Sequence, residues 1–269
     1  MSRIKQSFET ILAENKTALI PFITAGDPHP DFTVSYMHAL VEGGADILEL
    51  GVPFSDPMAD GPVIQHSSER ALKHNVSLAD VMAMVRTFRK DNQTTPIILM
   101  GYCNPIEIMG YDKVAKEAAE SGVDGILTVD LPPEEAVEFN TKLNEADIDP
   151  VFLVAPTSTE ERIKTICSSA TGFIYYVALK GVTGSSELDT TGIKDKIDLI
   201  RKHTTIPVGV GFGIKDGATA ASVSKVSDAV VVGSALVSKM EALKDQPEKI
   251  TDVVRSFMAE LRTAIDQDI

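Results

Sequence analysis

Two acidic residues and two glycine clusters are the parts of this sequence best suited to chemistry. Glu49 closes the apolar run Ile47-Leu48, where a charge is costly to bury unless it is used or paired. Strand alternation puts Glu49 on the face of Ile47 and opposite Leu48 and Leu50. Asp60 follows on a loop stiffened by Pro53, Pro57 and Pro62. A carboxyl in an apolar pocket can have its pKa raised toward neutrality, so that it both gives and takes protons. The competing readings are a strand-end ion pair for Glu49 and simple turn formation for Asp60. Their presence on one segment favours an acid–base pair.

The glycine clusters are Gly209-Val210-Gly211-Phe212-Gly213-Ile214 and Val232-Gly233-Ser234-Ala235. Glycines let the backbone approach phosphate oxygens, and helix-starting N–H groups bind anions. Ser234 reads as an N-cap that also offers a hydroxyl. Either cluster alone is equally a tight turn; together they favour a phosphate. The polar loop from Lys180 to Gly192 suits a mobile lid, against the reading of a merely flexible loop. Its Gly184 could add a further N–H to the same anion.

These residues need elements to position them. Eight short β-rich runs recur along the chain: Ala18–Thr24, Asp46–Leu50, Pro96–Met100, Gly125–Val129, Val151–Val154, Phe173–Val177, Pro207–Val210 and Ala229–Val232. Helical patterns lie between them, as at Asp31–Glu42, Tyr111–Ser121, Glu134–Ala146 and Thr159–Ser168. Continuous apolar runs such as Ile97-Ile98-Leu99-Met100 suit parallel strands covered on both faces. Gly44-Ala45-Asp46 and Gly122-Val123-Asp124 read as helix stops followed by tight turns. The expected fold is an α/β (β/α)8, or TIM, barrel, with catalytic residues at the C-terminal strand ends. A doubly wound sheet would show Gly-x-Gly-x-x-Gly after its first strand, where this chain has Thr24-Ala25-Gly26-Asp27-Pro28. Ile4, Phe8, Ile11 and Leu12 predict an extra, amphipathic N-terminal helix.

With 269 residues, the chain has the length of one such barrel, and residues 1–269 are expected to form a single domain. Lys and Arg total 25 against 39 Asp and Glu, a formal charge of −14. That balance argues against a nucleic-acid binder. No apolar run is long enough to span a bilayer, and the N-terminus has no signal-peptide core. Cys103 and Cys167 match no metal or redox spacing, and the five histidines are scattered. A reduced, cytoplasmic protein is expected.

The segment from Glu49 to Pro62, Glu-Leu-Gly-Val-Pro-Phe-Ser-Asp-Pro-Met-Ala-Asp-Gly-Pro, closely resembles the tryptophan synthase α subunit family. The likeness extends over essentially the full length, through Pro21–Pro28, Gly101–Pro105, Asp130-Leu131-Pro132, Ala155–Ser158, Gly181–Gly184, Gly211–Ile214 and Gly233-Ser234-Ala235. It implies a lyase of tryptophan biosynthesis that cleaves indole-3-glycerol phosphate to indole and glyceraldehyde 3-phosphate. The family's catalytic carboxylates fall on Glu49 and Asp60. Its phosphate-binding positions fall on Gly184, Gly213, Gly233 and Ser234, and its pocket hydroxyls on Tyr175 and Thr183. Its indole pocket falls on Phe22, Met100, Leu127, Val129 and Phe212. The family needs no cofactor in this subunit. It pairs in an α2β2 heterotetramer with a pyridoxal-phosphate β subunit, to which indole passes through a tunnel. The partner face is then the top of the barrel around Pro53–Asp60 and Gly181–Thr191, with Asp56 and Pro57 as contacts.

One stretch departs from the pattern. Many relatives carry Ser-Arg just before Gly-Val-Thr-Gly, where this chain has Ala178 and Leu179 ahead of Lys180. The alternatives are another phosphate-binding TIM-barrel isomerase and a catalytically silent barrel that binds a β-type partner. An isomerase would often place a Lys or Cys at a strand end, and none stands out.

Overall fold

The computed structural model describes residues 2–178, 190–211 and 213–267. In chain order the first half comprises α1 (Arg3–Ala13), β1 (Ala18–Thr24), α2 (Thr33–Glu42), β2 (Leu48–Gly51), α3 (Pro62–Leu72), α4 (Leu78–Phe88) and β3 (Ile97–Gly101). There follow α5 (Cys103–Met109), α6 (Tyr111–Ser121), β4 (Gly125–Thr128), α7 (Val137–Glu145), β5 (Asp149–Val154) and α8 (Glu160–Ser169). The last third holds β6 (Ile174–Val177), α9 (Thr190–Arg201), β7 (Val208–Gly211), α10 (Gly217–Ser224), β8 (Ala229–Val232), α11 (Ser234–Glu241) and α12 (Ile250–Asp266). The eight strands are parallel, pair in sequence order, and close through β1 and β8 into a barrel. All eight lie where the apolar runs predict them.

Two separate cores follow from strand alternation. Leu48 and Leu50 of β2 point outward into the layer between sheet and helices. Ile47 points inward, with Ile20, Ile98, Leu127, Val151, Phe173 and Val231. The inner cluster also contains Ile4 and Phe8 of α1. This helix is therefore a plug across the N-terminal end of the barrel rather than a surface helix. Fully burying side chains of this size stabilises by about 1.5–3 kcal/mol each. Gly125 makes room for the plug, since a Cβ there would sit 2.9 Å from Ile4 Cδ1.

Three aspartates repeat one arrangement at that same end. Asp46, Asp124 and Asp228 each donate a backbone N–H to the preceding strand, at Leu19, Ile97 and Val208. Each carboxylate accepts the N–H of that same residue, at 2.8 Å in all three cases. Each is also held by an arginine: Arg262 at 3.1 Å, Arg89 at 2.7 Å and Arg201 at 2.7 Å. Asp124 takes a second arginine, Arg3 of the plug, at 2.7 Å. The helix stops ahead of Asp46 and Asp124 use Gly44 at φ 103° and Gly122 at φ 86°, where a side chain would be strained.

Candidate active site

At the opposite end the strands open into a cavity of about 680 Å³, within the range of small-molecule sites. Glu49 stands on its floor, in register with Phe22 of β1 and Ile98 of β3. It is 1 % exposed, and neither carboxyl oxygen has a hydrogen-bond partner among the described residues. Burial, and after it the charge of Asp60, push its pKa up to about 8. At neutral pH such a carboxyl holds its proton, yet it stands close enough to that pH to release and recover it.

Asp60 lines the same cavity, just ahead of Gly61 and Pro62, where α3 begins. Gln65 fixes its carbonyl through a 2.8 Å hydrogen bond. Burial pushes the Asp60 carboxyl up, and a hydrogen bond from Tyr102 opposes the rise. The Tyr102 hydroxyl also accepts the Ala59 N–H at 3.0 Å, and its ring stacks on Phe54. Tyr102 thus holds both the loop and its carboxylate. It belongs to the quoted Gly101–Pro105 segment, but no spacing in the sequence links it to Asp60.

Tyr175 of β6 also faces the cavity. Its ring crosses β7 at Gly211, where a Cβ would sit only 2.2 Å from the hydroxyl. Burial and the nearby Glu49 hold the phenol well above its usual pKa, so it remains a hydrogen-bond donor. Phe22, Met100 and Val129 line the cavity as well. Leu127 does not: it is fully buried in the barrel interior. Alternation assigns it to the correct face, but Val129 occupies the layer above it and meets the cavity instead.

The glycine end contributes Gly213, Gly233, Ser234 and Ala235 to the wall. Gly213 turns the chain after β7 at φ 84°. Ser234 is not the N-cap that the sequence suggests. Gly233 takes that position, because the chain leaves β8 there at φ −120°, ψ −85° and the helical conformation begins with Ser234. No side chain caps α11, so the first N–H groups of this helix face the cavity without an intrahelical partner. Helix starts of this kind are suited to binding anions.

The wall further includes Leu153, Ser158, Arg162 and Lys215, which the motifs do not single out. Thr183, Gly184, Phe212 and residues 179–189, which include Leu179 and most of the loop expected to act as a lid, lie outside the described residues. Ala178 is buried, and its N–H bonds to the Gly211 carbonyl at 3.0 Å. Among the described residues no group of three or more His, Cys, Asp and Glu side chains is placed to hold a metal ion. No helix among them is long and apolar enough to cross a membrane.

Comparison with known proteins gives a consistent result. The family model described as tryptophan synthase alpha chain matches residues 8–266. A tryptophan synthase alpha chain of Thioalkalivibrio sulfidiphilus is 58 % identical over 266 residues, covering 99 % of this chain and 100 % of the relative. One from Paraburkholderia phytofirmans is 57 % identical over 266 residues, covering 99 % and 98 %. The crystal structure of the alpha subunit from Legionella pneumophila superposes with a TM-score of 0.92 at 43 % identity, covering 99 % of both chains. A Mycobacterium tuberculosis tryptophan synthase structure in an aminoacrylate-bound form gives 0.87 at 34 % identity, covering 98 % of this chain and 100 % of that one. With a closed eight-stranded barrel, a buried acid on the floor of its cavity and near-complete coverage by these relatives, the chain belongs to the tryptophan synthase alpha chain family.

Proposed function

We propose that this chain is a carbon–carbon lyase cleaving indole-3-glycerol phosphate to indole and glyceraldehyde 3-phosphate, with Glu49 and Asp60 as its catalytic pair. The observation that carries the reading is the Glu49 carboxyl, buried without a partner in a cavity it shares with Asp60. The Glu49 acid gives its proton to indole C3, which makes the ring an electron acceptor. Asp60 accepts a hydrogen bond from the indole N–H and stabilises the positive charge that develops. The Glu49 carboxylate then takes the proton of the side-chain hydroxyl next to C3. The C–C bond breaks, its electron pair restores the aromatic ring, and the oxygen left behind becomes the aldehyde carbonyl. One proton leaves Glu49 and one returns, so the acid is regenerated.

Phe22, Met100 and Val129 form the apolar bed for the indole, and Tyr175 is placed to hydrogen-bond the side chain. Gly213, Gly233 and Ser234 receive the phosphate, with Gly184 and Thr183 expected to complete the site from the lid. Phosphate binding is remote from the reacting bond and serves to fix the side chain in one reactive geometry.

The chain needs no cofactor of its own for this chemistry, and pyridoxal phosphate belongs to the partner. That partner is a β subunit in an α2β2 assembly, docked on the barrel top. Support comes from exposed apolar side chains on the segments after β2, β3 and β4: Met58 at 76 %, Ile108 at 87 % and Val137 at 66 % exposure. Asp56 and Pro57 flank Met58 on that rim. Two free cysteines, Cys103 and Cys167, fit the cytoplasm.

The test is an indole-release assay on indole-3-glycerol phosphate in cofactor-free buffer, with and without a β subunit. The expected result is slow release by the isolated chain and faster release in the complex. No indole in either case overturns the lyase reading, and release unchanged by the β subunit overturns the assembly.

A further inference from the structure

Among the described residues, two cationic residues line the cavity, Arg162 and Lys215. Arg162 is committed, because its guanidinium is paired with the carboxylate of Glu134. Lys215 is not. It follows Gly213 and the buried Ile214 on the turn that leaves β7. Its backbone N–H bonds to Thr219 Oγ1 at 3.0 Å, which fixes the turn against the head of α10. The neighbouring Asp216 carboxylate is engaged with Thr219, accepting its N–H at 2.9 Å and its hydroxyl at 2.8 Å. The Lys215 ammonium forms no hydrogen bond or ion pair among the described residues.

The electrostatics of the cavity give this lysine a task. The chain carries a formal charge of −14, and the carboxyl of Asp60 lines the same cavity. A phosphate dianion entering it meets a repulsive field. Backbone N–H groups at a helix start supply directed hydrogen bonds but only about half a unit of charge. A lysine adds a whole, mobile point charge. We propose that Lys215 is the specificity-determining cation of this cavity: it pairs with the phosphoryl group seated at Gly213, Gly233 and Ser234. The inference rests on the lyase reading above and adds a residue to it. Lys215 touches only the remote phosphate, so it sets affinity and the preference for phosphorylated over neutral ligands, and leaves the bond-breaking step to the two carboxyls.

The experiment is calorimetric titration of the full chain with sn-glycerol 3-phosphate and, separately, with indole, alongside steady-state cleavage. Lys215→Met is expected to weaken glycerol phosphate binding and raise KM by roughly three- to tenfold. Its kcat and indole affinity should stay near wild type. Lys215→Glu should weaken phosphate binding further, and Lys215→Arg should largely restore it. Lys244→Met, an exposed lysine outside the cavity, should change nothing. Wild-type affinity for glycerol phosphate in both Lys215→Met and Lys215→Glu overturns the inference and leaves the lyase reading intact. Failure of the wild type itself to bind glycerol phosphate overturns the phosphate site, and the inference with it. Equal weakening of indole and glycerol phosphate would show a loss of fold rather than of a charge contact, and also overturns the assignment.

Discussion

The two ends of the barrel treat their carboxylates in opposite ways. At the closed end, Asp46, Asp124 and Asp228 each receive a backbone N–H and an arginine. At the open end, Glu49 is more deeply buried than any of the three and receives neither. The first arrangement ties neighbouring strands and helices together. The second leaves a proton-carrying group under strain from its surroundings, at a cost in stability. On the proposed mechanism, the contrast separates acid residues that hold the fold from one held ready for chemistry.

The comparison breaks most sharply at Glu49. Glu49→Gln should fold and bind substrate but lose about 10²–10⁴-fold in kcat; near-normal turnover would remove Glu49 from the proton transfers. Next is Asp124→Ala at the closed end. It strands Arg89 without its carboxylate, so chemical denaturation should show a loss of about 3–5 kcal/mol. Intact stability would mean the aspartate contacts are incidental. Ser234→Asp brings a negative charge to the helix start, and KM should rise roughly tenfold or more, whereas an unchanged KM would move the phosphate elsewhere.

Glu49→Gln also has a pH signature. The unfolded chain releases this proton near 4.5, whereas the folded chain holds it up to about 8. Wild-type stability therefore falls as pH rises through that window. The variant has no such proton and should melt higher than wild type at the alkaline end, by on the order of 5 °C. The gap should close toward the acid end, and a gap independent of pH would show that another group is responsible. The smallest effect is expected at Asp228→Asn. That change keeps an acceptor for Val208 and loses only the pairing with Arg201, which is 43 % exposed. Thermal or urea unfolding should register about 1 kcal/mol or less, and a larger loss would put this position on a par with Asp124.

Much of this arrangement is legible in the sequence, for identifiable reasons. Strand positions follow from continuous apolar runs, and the inward direction of Glu49 follows from its shared face with Ile47. Depth along the barrel axis does not. Leu127 and Val129 share a face, and only the packed structure shows that the upper one meets the cavity. The amphipathic pattern of Ile4 and Phe8 requires a buried face without saying against what, and the barrel interior is the answer. Ser234 misleads because serine is a common cap, whereas the glycine before it makes the turn. Tyr102 and the carboxylate work of Asp46 and Asp124 are invisible locally, because their partners come from distant parts of the chain.

The plug formed by α1 has a further consequence. With one end stoppered, the barrel is a flask and not a pipe: substrate, indole and sugar phosphate share a single neck. Traffic through that neck is ordered by chemistry. On the proposed phosphate site, the charged fragment would be tethered at the glycine wall while the neutral one is at liberty to drift outward, and any protein seated on the rim would be the first surface it meets.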